Sequence, residues 1–188
     1  MKVLWLTLLL AGTLLLTGCG DLMSLESIAT KDNTIFDGAL LGTWTDNQDT
    51  LCVVRPADKE YDKVYNIVWI GTADSGEITR LQGRLVRMGD QRVLDVWGVD
   101  PGAFSVAAHV FLRVRVAAGA LELRFLDSEW LQKQVKQSSL AWLLFEDHPV
   151  ITAPPAQLLT FLQQFGLKEE ALDKPILLTR LVPEGSRH

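Results

Sequence analysis

The chain is poor in the residues that most often carry chemistry. It has two cysteines and three histidines in 188 residues. Two cysteines cannot build a disulfide scaffold or a four-thiolate zinc site. Dispersed histidines without a surrounding cluster of cysteine and carboxylate give no metal site, and no cofactor is expected. Lysine and arginine number 18 against 23 acidic residues, a net charge of −5, which argues against the basic stripe that nucleic-acid binding needs. There is no internal repeat and no low-complexity tract. Gly71, Gly76 and Gly83 are too dispersed to cradle a phosphate. What the chain does have is apolar mass. The 48% hydrophobic content with six tryptophans excludes a wholly disordered polypeptide. The length suits one domain burying roughly 70% of its unfolded surface.

The N-terminus reads as an address. Lys2 precedes an almost wholly apolar run from Val3 to Leu16. That is short of the about 20 residues of a membrane-spanning helix and fits the core of a secretory signal. Leu16-Thr17-Gly18-Cys19 follows directly and resembles the lipobox of bacterial lipoproteins. The resemblance implies cleavage before Cys19, acylation of that thiol (palmitate among its chains) and attachment to a membrane. Cleavage also removes Lys2, leaving 17 basic residues against 23 acidic ones. Gly20 rather than Asp follows the cysteine, which by the same resemblance points to the outer membrane, facing the periplasm. Cys52, between Leu51 and Val53, is then without a cysteine partner and reads as a small core residue.

Residues 19–38 carry the lipidated cysteine and read as a tether, because Gly20 to Gly38 mixes polar residues with isolated apolar ones. As a flexible coil it would reach roughly 25 Å. From Leu41 the hydrophobic period becomes two. Strands are expected at 42–46, 50–56, 63–73, 78–88, 91–99, 106–117, 120–127 and 140–146, with turn residues between them. Short connections make this an antiparallel meander, mainly β, closing into a barrel or a strongly curved sheet.

Two hairpins fix their own registers. A two-residue turn at Gly89-Asp90 sets Val86 opposite Val93, Leu85 opposite Leu94 and Arg84 opposite Asp95. A turn at Ala118-Gly119 sets Arg115 opposite Glu122, Val114 opposite Leu123 and Leu112 opposite Phe125. It leaves Arg113 facing Arg124, a like-charge mismatch. Ser128–Gln137 reads as a short helix. A C-terminal amphipathic helix is expected over about 154–166, opened by Pro154-Pro155, striped by Leu158, Phe161, Leu162 and Phe165, and stopped at Gly166. It is expected to pack on the sheet, and Pro175–Val182 to form a closing strand. One β-rich domain therefore covers 39–182, with 183–188 as a tail.

Leu41-Gly42-Thr43-Trp44 resembles the Gly-x-Trp signature that opens lipocalin and other calycin barrels. The resemblance implies a meandering barrel around an apolar cavity, with Trp44 closing its floor. It spans residues 39 to 146, and no second lipocalin motif accompanies it.

The remaining candidates are modest. His109 lies within reach of Asp95 on the preceding strand, but no nucleophile stands out to complete a hydrolase, and no enzyme is expected. His148 and His188 read as solvated. Arg84, Arg113, Arg115 and Arg124 fall on the faces opposite the Val/Leu cores. They are either on the solvated outside of the barrel or line a cavity suited to a carboxylate or phosphate. Trp69, Trp97 and Trp142 sit in expected strands, as packed core or as the lining of an apolar cavity. The sequence thus leads to a non-enzymatic, membrane-anchored lipoprotein. It would bind an apolar or amphiphilic ligand or an envelope protein, with Cys19 as the lipid attachment and Arg84, Arg113, Trp69, Trp97 and Trp142 as candidate ligand contacts. The alternative is a structural or assembly accessory of the cell envelope without a cavity, working through a sheet edge or its C-terminal segment.

Overall fold

A computed structural model describes residues 23–46, 48–54, 63–71, 78–99, 107–117, 119–145 and 148–181. In chain order the strands are β1 (Met23–Ser24), β2 (Thr34–Ile35), β3 (Gly42–Thr45), β4 (Asp49–Val54), β5 (Val64–Gly71), β6 (Ile78–Met88), β7 (Gln91–Gly98), β8 (His109–Ala117), β9 (Ala120–Phe125), β10 (Trp142–Phe145), β11 (His148–Ile151) and β12 (Ile176–Arg180). The helices are α1 (Ser128–Gln137) and α2 (Pro155–Phe161), the latter running into a π-helical turn at Leu162–Gly166.

Strands β3 to β9 pair with their sequence neighbours, and β12 inserts antiparallel between β9 and β3. The result is a closed, eight-stranded antiparallel barrel, a form compatible with the lipocalin-like expectation. Seven of the eight expected strands belong to it. The eighth, at 140–146, does not: β10 lies outside the barrel, and the closing strand near the C-terminus completes the ring. Both hairpin registers are those the turns dictated. Gly89 (φ 63°) and Gly119 (φ 82°) occupy the left-handed conformation these tight turns require.

Alternation along each strand separates two cores. Trp44, Tyr65, Leu85, Leu94, Leu112 and Leu121 point into the barrel. Val86, Met88, Val93 and Phe111 point out of β6, β7 and β8, where the segment between β9 and β12 covers them. From α1 come Leu131 and Val135, and from α2 and its π turn come Leu158, Phe161 and Leu162. Asp127 caps α1 by accepting from the Trp130 N–H. The C-terminal helix thus packs against the outer wall, as expected, and its stripe is buried there. Gly166 is the last residue of the π turn, without a left-handed conformation, and a Cβ there would stand 2.8 Å from Leu162 Cδ2.

The tether reading fails from Met23 onward. β1 pairs with β11 and β8, β2 pairs with β6, and Ile28 is fully buried. The segment is a strap on the barrel wall. Cys52 is also corrected: it alternates with Leu51 and Val53, so it faces outward, half-buried, with the Thr43 hydroxyl 3.9 Å from its sulfur. Residues 1–22, with the lipobox and Cys19, lie outside the described residues, as do 182–188.

Candidate functional site

The two ends of the barrel differ. At the end where β3 begins, a 3₁₀ turn at Gly38–Leu40 folds across the opening, capped by Asp37. Trp44 is fully buried beneath it and donates from Nε1 to the Leu40 carbonyl at 3.0 Å. Arg180 from the closing strand covers the indole, 4.3 Å from its centroid, and donates to the carbonyls of Ala39 and Leu41. Gly42 makes room for it: a Cβ there would stand 2.9 Å from Arg180 Nη1, and φ is 136°. Arg92 pairs with Asp37, and the Tyr65 hydroxyl accepts from the Asp37 N–H at 2.7 Å, which ties the plug to β5 and β7. Arg180 was not among the sequence candidates. Its only sequence signal is a cation within the expected closing strand Pro175–Val182.

At the opposite end lies an apolar cavity of about 220 Å³. Its wall includes Leu51, Ile67, Trp69, Leu94, Val110 and Phe125, with Ala108 where β8 begins. Cavities of 150 Å³ lined this way stay dry and accept a benzene-sized guest, whereas drug-sized ligands need about 300 Å³ or more. This one suits a short apolar group. A broader groove of about 670 Å³ lies outside the barrel, between Ser138–Leu140 and the outer side of α2, and is lined by a mixture of polar and apolar groups.

The structure divides the candidate ligand contacts among separate places. Trp69 faces the cavity. Trp97 borders it where β7 ends, with its ring against His109 (centroids 5.5 Å apart) and the Arg84 guanidinium 5.2 Å from its centre. Trp142, on β10, packs against the outer core. Arg84 alternates with Val86 and Met88, so it belongs to the outer face. It stacks on Trp97, while Asp95, opposite it in register, bonds elsewhere. Arg113 is also on the outer face, 3% exposed beneath Glu169 and Glu122.

Glu169 resolves the like-charge mismatch. Arg113 does stand opposite Arg124, and the Glu169 carboxylate bridges both guanidinium groups. Hydrogen bonds from Arg113 and then Arg124 hold its carboxyl at about 2, against an ordinary 4.5. Glu122 pairs with Arg113, on the diagonal, rather than with Arg115 directly across.

Asp95 and His109 do meet, with Asp95 Oδ1 and His109 Nδ1 2.6 Å apart. Asp95 is fully buried, and its other oxygen accepts from the Ser27 hydroxyl at 2.6 Å and from the Ile28 N–H at 2.9 Å. Among the described residues no hydroxyl or thiol hydrogen-bonds His109, since Ser27 bonds the aspartate instead. The arrangement holds the strap to the wall. The side chain of His148 and all of His188 lie outside the described residues. No group of three or more His, Cys, Asp or Glu able to hold a metal occurs among the described residues.

No family model, no curated protein and no solved structure matches the chain.

Proposed function

We propose that the chain is a lipid-anchored protein of the cell envelope. It is acylated on Cys19, held at the outer membrane on its periplasmic side, and takes the apolar end of a small amphiphile into its barrel. The observation that carries the ligand reading is the apolar cavity at one end of a barrel whose other end is plugged by Trp44 and Arg180. The lipocalin-like resemblance of Leu41-Gly42-Thr43-Trp44 supports it, as does the lipobox-like Leu16-Thr17-Gly18-Cys19. A cavity of this size holds the end of one chain rather than a whole lipid, so the head of the guest would remain at the mouth. Trp69 and Trp97 border that space. Arg84, stacked on Trp97 at the border of that space, would offer an anionic head a partner.

The test is native mass spectrometry of the mature chain released from membranes, followed by lipid extraction. Acylation appears as a covalent mass on the N-terminal peptide, and a guest as a dissociable one. Ala108→Phe puts an aromatic ring where β8 begins, beside the cavity, and should lower occupancy by a guest about tenfold or more while the acyl mass stays. Cys19→Ala should abolish acyl labelling. A wild-type chain free of dissociable lipid would remove the ligand reading. Normal acylation of the Cys19→Ala chain would remove the anchor.

A further inference from the structure

Strand β10 carries a surface that the barrel does not explain. Leu143, Leu144 and Phe145 are consecutive, and they are 44%, 58% and 59% exposed. Among the described residues they lie on a strand paired on one side only, at the outer margin of the sheet. An exposed apolar run on a free edge is a liability that soluble surfaces avoid, and where it persists it marks a contact.

The strand registers show where this surface lies relative to the start of the chain. Met23 sits beside Val150, and Val150 beside Leu143, so the three form one row across β1, β11 and β10. Two strand spacings put Leu143 roughly 10 Å from Met23. Because β1 runs parallel to β11, the chain traced backward from Ser24 to Met23 heads toward Pro149 and His148. Those are the rows occupied by Leu144 and Phe145. Cys19 is four residues before Met23, a span of at most about 14 Å even when fully extended. The strap has absorbed the rest of the expected tether. An acyl-anchored cysteine therefore holds the side of the domain bearing Leu144 and Phe145 against whatever surface receives the acyl chains.

We propose that Leu143, Leu144 and Phe145 form a second, non-covalent membrane contact and enter the interfacial layer of the same bilayer as the acyl chains on Cys19; this rests on the lipid-anchored reading above. Apolar side chains are the chemistry such a contact needs, since the cleaved chain, with 17 basic residues against 23 acidic ones, has no general attraction to anionic headgroups.

The experiment uses the full chain, processed in a bacterial envelope, with Cys52→Ser and a single new cysteine at Leu144, Phe145 or, as a control, Leu177. Leu177 is 59% exposed on β12 of the barrel wall. Each cysteine carries an environment-sensitive fluorophore, and the chains are reconstituted into vesicles of phosphatidylethanolamine and phosphatidylglycerol. The expected result is a blue-shifted emission at 144 and 145, with aqueous iodide quenching reduced at least threefold relative to 177. Equal quenching at all three sites overturns the proposal. Shielding at 144 and 145 that appears without vesicles, and grows with protein concentration, also overturns it and assigns the edge to a protein contact. The mass of the N-terminal peptide separates the two readings. An unacylated wild-type chain refutes the anchor, whereas an acylated chain with a freely quenched label at 144 refutes the contact alone.

Discussion

Glu169 shows how one exposed carboxylate can decide the fit of two neighbouring cations, one of them buried. Arg113 and Arg124 stand opposite each other across β8 and β9, and Arg113 is almost wholly out of solvent. Their repulsion would weigh on the hairpin if Glu169 did not lie over both. Its folded-state carboxyl is held at about 2, below the ordinary 4.5. The stabilisation is therefore complete above about pH 4.5 and disappears as the pH falls toward 2. Glu169→Gln should lower the urea midpoint at pH 7, and the gap to wild type should narrow below pH 4.5 and close near pH 2. A gap that stayed constant across that range would show that the charge of Glu169 is not what matters. The sequence announced the problem without the solution: the Ala118-Gly119 turn forced Arg113 onto Arg124, and the acid that answers it comes from a segment more than forty residues further along.

At the scale of elements, the strap from Met23 to Ile35 is held by its strand pairings and by one buried side chain in the wall, Asp95. Asp95 receives the Ser27 hydroxyl and the Ile28 N–H while facing His109. Asp95→Ala leaves these groups without their partner and should cost about 1–3 kcal/mol. It should also expose the strap to limited proteolysis before the barrel opens, and cleavage confined to other loops would show that the strap is held by something else. This element was illegible because its anchors are nearly seventy residues away in sequence, and its own composition, polar with isolated apolar residues, is also that of a linker. The strand at β11 was hidden for a local reason, since Pro149 interrupts any strand pattern. Among the described residues β1 pairs with β11 at Val150 and Ile151, and Pro149 meets β10. The β10 sequence did read as a strand, but nothing in it distinguished an outer edge from a barrel stave.

In the whole molecule, the wall formed by β6, β7 and β8 is buried on both faces, by the barrel interior and by the helical segment. The opposite wall is covered on one face only: Leu177, Thr179 and Val54 look outward and are exposed. Amide hydrogen exchange should follow this division. Protection should be greatest at Leu85–Val86, Leu94–Val96 and Phe111–Val114, and lower by at least about tenfold in β4 and β12. Uniform protection around the ring would contradict it. The barrel itself was largely legible, because two-residue turns fix strand partners and the alternation from Leu41 onward fixes the faces. Which face was inside was not legible. Val86, Met88, Val93 and Phe111 give the outer side of this wall the apolar character of a core, and only the helices that cover it explain why.

The ring is closed by a strand that arrives late. β3 is the first stave in chain order, and its free edge waits for β12 while β4 to β9 and the whole segment 126–175 are made. During that interval the seven earlier staves form at best an open trough with bare edges at β3 and β9. Trp44 then lacks the guanidinium that covers it, because Arg180 is on the missing strand. Shutting the barrel and seating its plug therefore fall together at the end of maturation. A chain emerging N-terminus first spends most of its delivery time in its most aggregation-prone shape.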